Sequence, residues 1–247
     1  AKKWSPETPN LYKAVLSVSD GETTDRYSTK FGIRTIEFSA EKGFLLNGVP
    51  TLLRGGCVHH DNGLLGAASF DRAEERRLQL LKNNGFNAVR CSHNIPSEHF
   101  LYACDSIGLM VIDEAFDHWL VAKNPNDYHN FFTEFSNRDL QVMLRRDRNH
   151  PSIIMWSIGN EIPEQWSVQG RQLSRWLQDI CHRLDPTRPV TQGMDKAEAS
   201  LQSGFAQVMD VAGFNYRVHK FDQSISQLPQ RVLLGSESAS TVSSRGV

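Results

Sequence analysis

Residues Asn149–Trp166 read NHPSIIMWSIGNEIPEQW. Within them, the run Ile153–Ile158 has the length and apolar character of one buried strand. It ends on Gly159-Asn160-Glu161, where an amide and a carboxylate take over from the hydrophobic side chains. A strand that merely runs into solvent can end this way, and so can one that delivers polar groups to a site. The flanking sequence decides between the two.

Similar short runs recur at Thr51–Leu53, Ala88–Arg90, Leu109–Asp113, Val190–Gln192, Val211–Asn215 and Val232–Gly235. Between them lie DRAEERRLQLLKNNG, SEHFLYACDSIG, FTEFSNRDLQVMLRRDRN and QGRQLSRWLQDICHRLDP, with apolar residues at helical spacing and several ending at Gly or Pro. Repeated strand and helix units imply a parallel sheet covered by helices. Seven in a row predict an α/β fold, a (β/α)8 TIM barrel truncated after strand 7. No Gly-rich phosphate loop follows the first run, which argues against a dinucleotide fold. Upstream, residues 10–38 alternate apolar and polar side chains about Asp20-Gly21, the pattern of a hairpin.

The runs also resemble one another at their C-terminal ends. His59-His60-Asp61, Arg90 with His93, Asp113-Glu114, Asn160-Glu161, Asn215-Tyr216 and Glu237 each close a predicted strand. Barrels carry their chemistry on the rim formed by the strands' C-terminal ends. Brought to that rim, Glu161 and Glu237 would form the carboxylate pair that glycoside hydrolysis uses, one protonating the leaving oxygen while the other attacks or activates water. Taken alone, a glutamate after a strand is more often a solvated loop residue, but these two sit in the specific contexts SIGNEI and LGSESAS.

Composition narrows the alternatives. The 247 residues carry 27 basic and 28 acidic side chains, a balance that offers no attraction for nucleic acid or an anionic membrane surface. No apolar stretch approaches the roughly 20 residues that cross a bilayer, so no membrane partner is expected. Cys57, Cys91, Cys104 and Cys181 show neither a C-x-x-C pair nor zinc-like spacing and are expected to be free, mostly buried thiols. Neither they nor the first residues fix a compartment.

Seven segments occur in one order along the chain: FGIRTIEF, GFLLNGVPTLLRGG, GFNAVRCSHNIPS, VIDEAFDHW, RDRNHPSIIMWSIGNE, DPTRPVT and GSESAS. Through them the chain resembles the catalytic part of glycoside hydrolase family 2, the β-galactosidase, β-glucuronidase and β-mannosidase group. RDRNHPSIIMWSIGNE is the most specific of the seven. The resemblance implies a retaining exo-β-glycosidase with a β-glycoside carbohydrate as substrate. β-Galactosides come first, with β-glucuronides and β-mannosides as alternatives. It implies residues 1–40 as the last strands of an immunoglobulin-like β-sandwich domain and 41–247 as the barrel. It makes Glu161 the general acid/base and Glu237 the nucleophile, with Asn160 on the sugar hydroxyl beside the reacting carbon. Arg90 and Tyr216 match positions that hydrogen-bond the nucleophile. His59, His93, Asp113 and Trp119 are further candidates for lining the sugar subsite, with bracing of the rim open for Asp113 and a core position open for Trp119.

Where better-known members carry Asn-Arg-His-Glu, this chain reads Cys57-Val58-His59-His60. Adjacent residues on one short segment rarely reach a single ion with good geometry, so no metal is expected at His60 or Asp61. No cofactor is required, and a family-type ion near Glu161 is left open. Two rival readings remain: a catalytically silent carbohydrate-binding barrel, and an inverting hydrolase that pairs Glu114 with Glu161. Ten residues after Glu237 do not supply a seventh helix and an eighth strand. The chain is therefore expected to be a fragment of a longer enzyme, with missing domains of the same polypeptide as partners, a homo-oligomer possible for the whole, and on its own inactive and prone to aggregate.

Overall fold

The alternating N-terminal stretch pairs Tyr12–Ser19 (β1) with Thr24–Phe31 (β2) in an antiparallel hairpin. At its turn the Asp20 carboxylate accepts the backbone N–H groups of Glu22 and Thr23 at 2.9 and 2.7 Å, and Gly21 takes a φ of +99°. The computed structural model describes residues 1–240. The hairpin stops short of the predicted Phe38, because Arg34 turns the chain away by donating to the carbonyls of Pro151 and Ile153. Ile36 instead opens a small antiparallel sheet of β3 (Ile36–Ser39), β4 (Gly43–Leu46) and β5 (Val49–Pro50).

The remaining strands, β6 (Gly55–His59), β7 (Ala88–Ser92), β8 (Met110–Glu114), β9 (Ile153–Asn160), β10 (Val190–Met194), β11 (Ala212–Asn215) and β12 (Leu233–Glu237), form one parallel sheet in chain order. It curls as the first seven strands of a TIM barrel, with β6 and β12 at its two ends. Four long helices follow the first four strands, as the sequence predicts: α1 (Asp71–Asn83), α2 (Glu98–Ile107), α3 (His129–Asp147) and α4 (Val168–Leu184). Ser97 and Ser167 cap α2 and α4 by accepting the N–H groups of Phe100 and Gly170. Two short helices, α5 (Ala197–Gln202) and α6 (Phe221–Ile225), are too short to show a clear apolar period and are absent from the sequence reading. Residues 241–247, the end of the stretch expected to leave the barrel open, lie outside the described residues.

One strand is misplaced by the apolar-run reading. The first barrel strand is Gly55–His59, not Thr51–Leu53. Leu52 is mostly exposed, and residues 51–54 are pinned as a linker by Asn87, which donates to the Leu52 carbonyl and accepts from the Arg54 N–H. The true strand hides because it begins with two glycines. A Cβ on Gly55 would sit 2.9 Å from the Ala88 carbonyl oxygen, so the close strand approach excludes the apolar residue that would have marked it.

The core has two parts. Leu78, Leu101, Leu140, Leu144, Leu177 and Ile180 of the helices pack on the outward-facing strand residues such as Val89, Val111 and Ile158, each buried Leu contributing about 1.5–3 kcal/mol. Inside, Phe44 and Leu46 of the small sheet meet Ala88, Met110, Ile154 and Val211 at the strand starts. The small sheet therefore plugs the end opposite the strands' C-termini and leaves the C-terminal rim open to solvent. Three of the cysteines are buried and Cys57 is half-buried, all of them free.

Trp4 belongs to this inner cluster. It is wholly buried, and its indole N–H donates to the Asp105 carbonyl at 2.8 Å. The Asp105 carboxylate in turn binds His150 and the Ser152 N–H. Trp4→Ala in the full-length protein is expected to cost about 3–5 kcal/mol by leaving a cavity between the N-terminal segment and the barrel. Urea unfolding measures it, and a loss under about 1 kcal/mol would show that the contact does not anchor the segment.

Candidate active site

Arg90 lies on β7 with its side chain turned into the barrel, 4% exposed. Its Nε donates to Glu114 Oε2 at 2.8 Å, its Nη1 to Glu237 Oε1 at 2.7 Å and its Nη2 to Asn160 Oδ1 at 2.9 Å. One guanidinium thus ties the ends of β8, β9 and β12 together. Burial works against its charge, but Glu114 leads the carboxylates that outweigh this and push its pKa above the ordinary value. Glu114 is fully buried and also accepts from Ser157 at 2.6 Å and meets His93 Nδ1 at 2.7 Å. Its side chain is 0% exposed where that of Glu237 is 11%, so Glu114 braces the network and is not open to a substrate at the rim.

Glu237 ends β12 and is reached from two sides, by Arg90 and by the Tyr216 hydroxyl. Burial alone would raise its pKa. Tyr216 and Arg90 outweigh that and hold the carboxyl below the usual glutamate range. The same contact with Glu237, helped by burial, raises the Tyr216 phenol, which stays a donor.

Asn160 and Glu161 sit at the end of β9, where the chain leaves the strand through a left-handed residue, Glu161 at φ +45°. The Glu161 N–H is held by the Gly193 carbonyl at 2.7 Å. The Asn160 amide donates to Asp117 at 2.9 Å, and the Lys123 ammonium bridges Asp117 and the Asn160 carbonyl at 2.7 and 2.9 Å. Burial would raise Asp117, but Lys123 and Asn160 hold it low and ionised.

Asn215, fully buried at the end of β11, joins the two glutamates. Its Nδ2 lies 2.9 Å from Glu161 Oε1, 3.0 Å from Glu237 Oε1 and 3.1 Å from Asn160 Oδ1. Two carboxylate oxygens that share one nitrogen at these distances are at most about 6 Å apart.

The structure brings Arg90, Asn160, Glu161, Tyr216 and Glu237 together. His93 joins them, with Nε2 3.7 Å from Glu237, and His59 stacks edge-on against it at 5.1 Å between ring centres, exposed at the mouth. Burial and then His93 lower the His59 pKa. Two candidates are corrected. Asp113 shares the outward face of β8 with Val111 and points at α3, where burial and then Asp147 push its carboxyl well above the usual range. It cannot reach the rim. Trp119 is fully buried, donates to the Ile158 carbonyl and packs on Phe132 and Phe205, so it is a core residue and no sugar platform. His60 faces Glu74, Arg77 and Phe100, while Asp61 caps the Gly63 N–H. Among the described residues no three His, Cys, Asp or Glu side chains converge as metal ligands.

Sequence reasoning places Asn215 at a strand end without giving it a role, passes over Asp117 and Lys123, and treats Glu114 only as a rival partner for Glu161. Glu114 and Asn215 stand at strand ends and could be found by that placement. Asp117 and Lys123 lie on the loop between β8 and α3, where no periodicity points to them.

The comparisons with known proteins agree with one another. A family model described as "Glycosyl hydrolases family 2, TIM barrel domain" matches residues 39–232, and one described as "Glycosyl hydrolases family 2" matches residues 1–34. The chain is similar to the β-galactosidase BoGH2A of Bacteroides ovatus, 40% identical over 98% of the chain and 32% of that protein. It is similar in structure to a glycosyl hydrolase family 2 member from Bacteroides cellulosilyticus, with a TM-score of 0.91 and 45% identity over 96% of the chain and 30% of the other. Bacteroides uniformis β-glucuronidase 3 follows with a TM-score of 0.77 and 28% identity over 94% of the chain and 30% of the other. The chain spans no more than about a third of the length of these relatives.

A Cβ on Gly193 would meet Arg90 Nη2 at 2.7 Å, Asn215 Oδ1 at 2.9 Å and Asn160 Oδ1 at 3.1 Å. Gly193→Ala is therefore expected to destabilise by about 1–3 kcal/mol through overpacking and to displace the Arg90 fork. Thermal unfolding reads the first effect, and a protein as stable as the parent would show that the network has slack.

Proposed function

The chain belongs to glycosyl hydrolase family 2, and from that premise we propose that its protein is a retaining exo-β-glycosidase acting by double displacement, on terminal β-galactosides first. The observation that carries the reading is the convergence of Glu161 and Glu237 on one Asn215 nitrogen. The exo preference rests on the family resemblance alone. The galactoside preference draws on the similarity to BoGH2A, named a β-galactosidase, and a β-glucuronide is the second reading because a β-glucuronidase is among the similar structures.

In the first step Glu237, held ionised by Tyr216 and Arg90, attacks the anomeric carbon. The bond from that carbon to the leaving oxygen breaks, and the Glu161 proton passes to the leaving oxygen. In the second step a water oxygen bonds to the anomeric carbon, the ester to Glu237 breaks, and the water's proton goes to Glu161. Asn160 faces the sugar hydroxyl beside the reacting carbon, where a hydrogen bond strengthens as charge develops. A silent binding barrel would have no use for a nucleophile clamped by both a guanidinium and a phenol.

The full-length protein is expected to hydrolyse nitrophenyl β-galactoside faster than the β-glucuronide or β-mannoside. A fluorosugar that traps glycosyl-enzymes is expected to label Glu237, and label on another residue overturns the assignment. Glu161→Ala should spare substrates with activated leaving groups and slow those with poor ones, which need the proton. Equal losses on both classes count against an acid role.

The pH profile offers a separate check. Glu237 must be ionised, so the acid limb of kcat/KM follows its depressed titration, with activity lost as pH falls through it. Tyr216→Phe removes a donor to the charged form, and the acid limb is expected to move up by about one pH unit while the basic limb stays. A limb that does not move would show that Tyr216 does not hold the charge.

A further inference from the structure

Asn215 has a role that the double-displacement scheme leaves open. An amide nitrogen carries two hydrogens, yet three acceptors surround Asn215 Nδ2, at 2.9 Å (Glu161), 3.0 Å (Glu237) and 3.1 Å (Asn160). Two hydrogens cannot give each of three acceptors a bond of its own, so the acceptors compete for them. The amide cannot turn over to change this, because Ser236 Oγ donates to Asn215 Oδ1 at 2.7 Å and fixes which end faces the carboxylates. The backbone is built for the contact. The β11–β12 register slips between Phe214 and Asn215, so that Asn215 pairs with Glu237 and leaves Ser236 free to reach its side chain. Gly193 leaves room for the amide, since a Cβ there would come within 2.9 Å of its oxygen. Asn160 has a second donor in Arg90, and Glu237 has two others in Arg90 and Tyr216. Among the described residues, Glu161 has no side-chain donor but Asn215.

We propose that Asn215 is a positioning residue that shares its two hydrogens between the carboxylates and so couples the proton on Glu161 to the bonding state of Glu237. This rests on the double-displacement reading. While Glu237 is a free anion it competes for the amide, at 3.0 Å against 2.9 Å for Glu161, so Glu161 holds only a share of the donor that would support its charged form. Once Glu237 is an ester it has lost its charge and is a poorer acceptor. The amide then serves Glu161, whose ionised form must take a proton from water. The same side chain favours the acid in the first step and the base in the second.

The test uses the full-length protein and two pH profiles, kcat/KM for the first step and the rate of breakdown of the accumulated glycosyl-enzyme for the second. In Asn215→Ala the acid limb of breakdown is expected to rise by about one pH unit, because the charged base loses its donor. The basic limb of kcat/KM should rise by less, so the gap between the two narrows. Ser236→Ala, which leaves the amide in place but frees it to turn, should move the same limbs in the same direction by a smaller amount. Lower rates with both limbs unmoved in both variants would reduce Asn215 to a structural residue and overturn the coupling. Failure of the parent protein to form a glycosyl-Glu237 intermediate would instead overturn the double-displacement reading, and the coupling with it.

Discussion

The buried guanidinium of Arg90 is the interaction on which the rest of the site depends. A charge that is 4% exposed is stable only if its hydrogens are used, and the partners here come from three other strands. Removing one partner of such a buried set costs several kcal/mol, because the remaining charge is left unpaired. The strands that supply Glu114, Asn160 and Glu237 are therefore held in register by their ends as well as by their backbones. Neighbouring positions are constrained in turn: Ser157 is small and a donor to Glu114, and Gly193 has no side chain because the fork occupies the space.

A regular parallel strand would point alternate residues inward and carry them no further. The site needs side chains that rise from the strand ends into the opening, and the backbone provides this by irregularity. Glu161 and Tyr216 both adopt left-handed φ, at +45° and +57°, and each is secured by a short N–H bond to a neighbouring strand, at 2.7 and 2.6 Å. Register slips fall between Thr191 and Gly193 and between Phe214 and Asn215, beside the same two places. Such conformations are costly for residues other than glycine. They persist because the plugged inner core below and the Arg90 network beside them fix the surrounding strands.

These geometries explain why some of the molecule was legible in the sequence and some was hidden. Strand ends were legible: apolar runs stop where polar residues begin, and Arg90, Asn160, Glu161, Tyr216 and Glu237 all stood at such boundaries. Face was not. Asp113 and Glu114 are adjacent and both acidic, and only the β8 pleat sends one to α3 and the other to Arg90. Trp119 lies just past the same strand and has the chemistry of a platform, but the chain folds it under Phe205 and Phe132. The first strand was hidden by the glycines that let it approach Ala88. Loop residues such as Lys123 carry no period at all, and their role exists only once Asn160 has been placed.

The asymmetry between the two glutamates is written in their partners and not in their chemistry. Three carboxylates, Glu114, Glu161 and Glu237, lie around one permanent cation, and the guanidinium is committed to Glu114 and Glu237. Lys123 is spent on Asp117 and a carbonyl. Among the described residues Glu161 is bonded to no cation and receives only the Asn215 amide. In the double-displacement reading identical side chains on one rim take opposite tasks, since a carboxylate clamped by Arg90 and Tyr216 is suited to stay ionised and attack. The one served by a shared neutral donor can gain and lose a proton without breaking an ion pair. Exchanging the roles would require moving Arg90 to another strand, and with it the network that holds β7, β8, β9 and β12 in place.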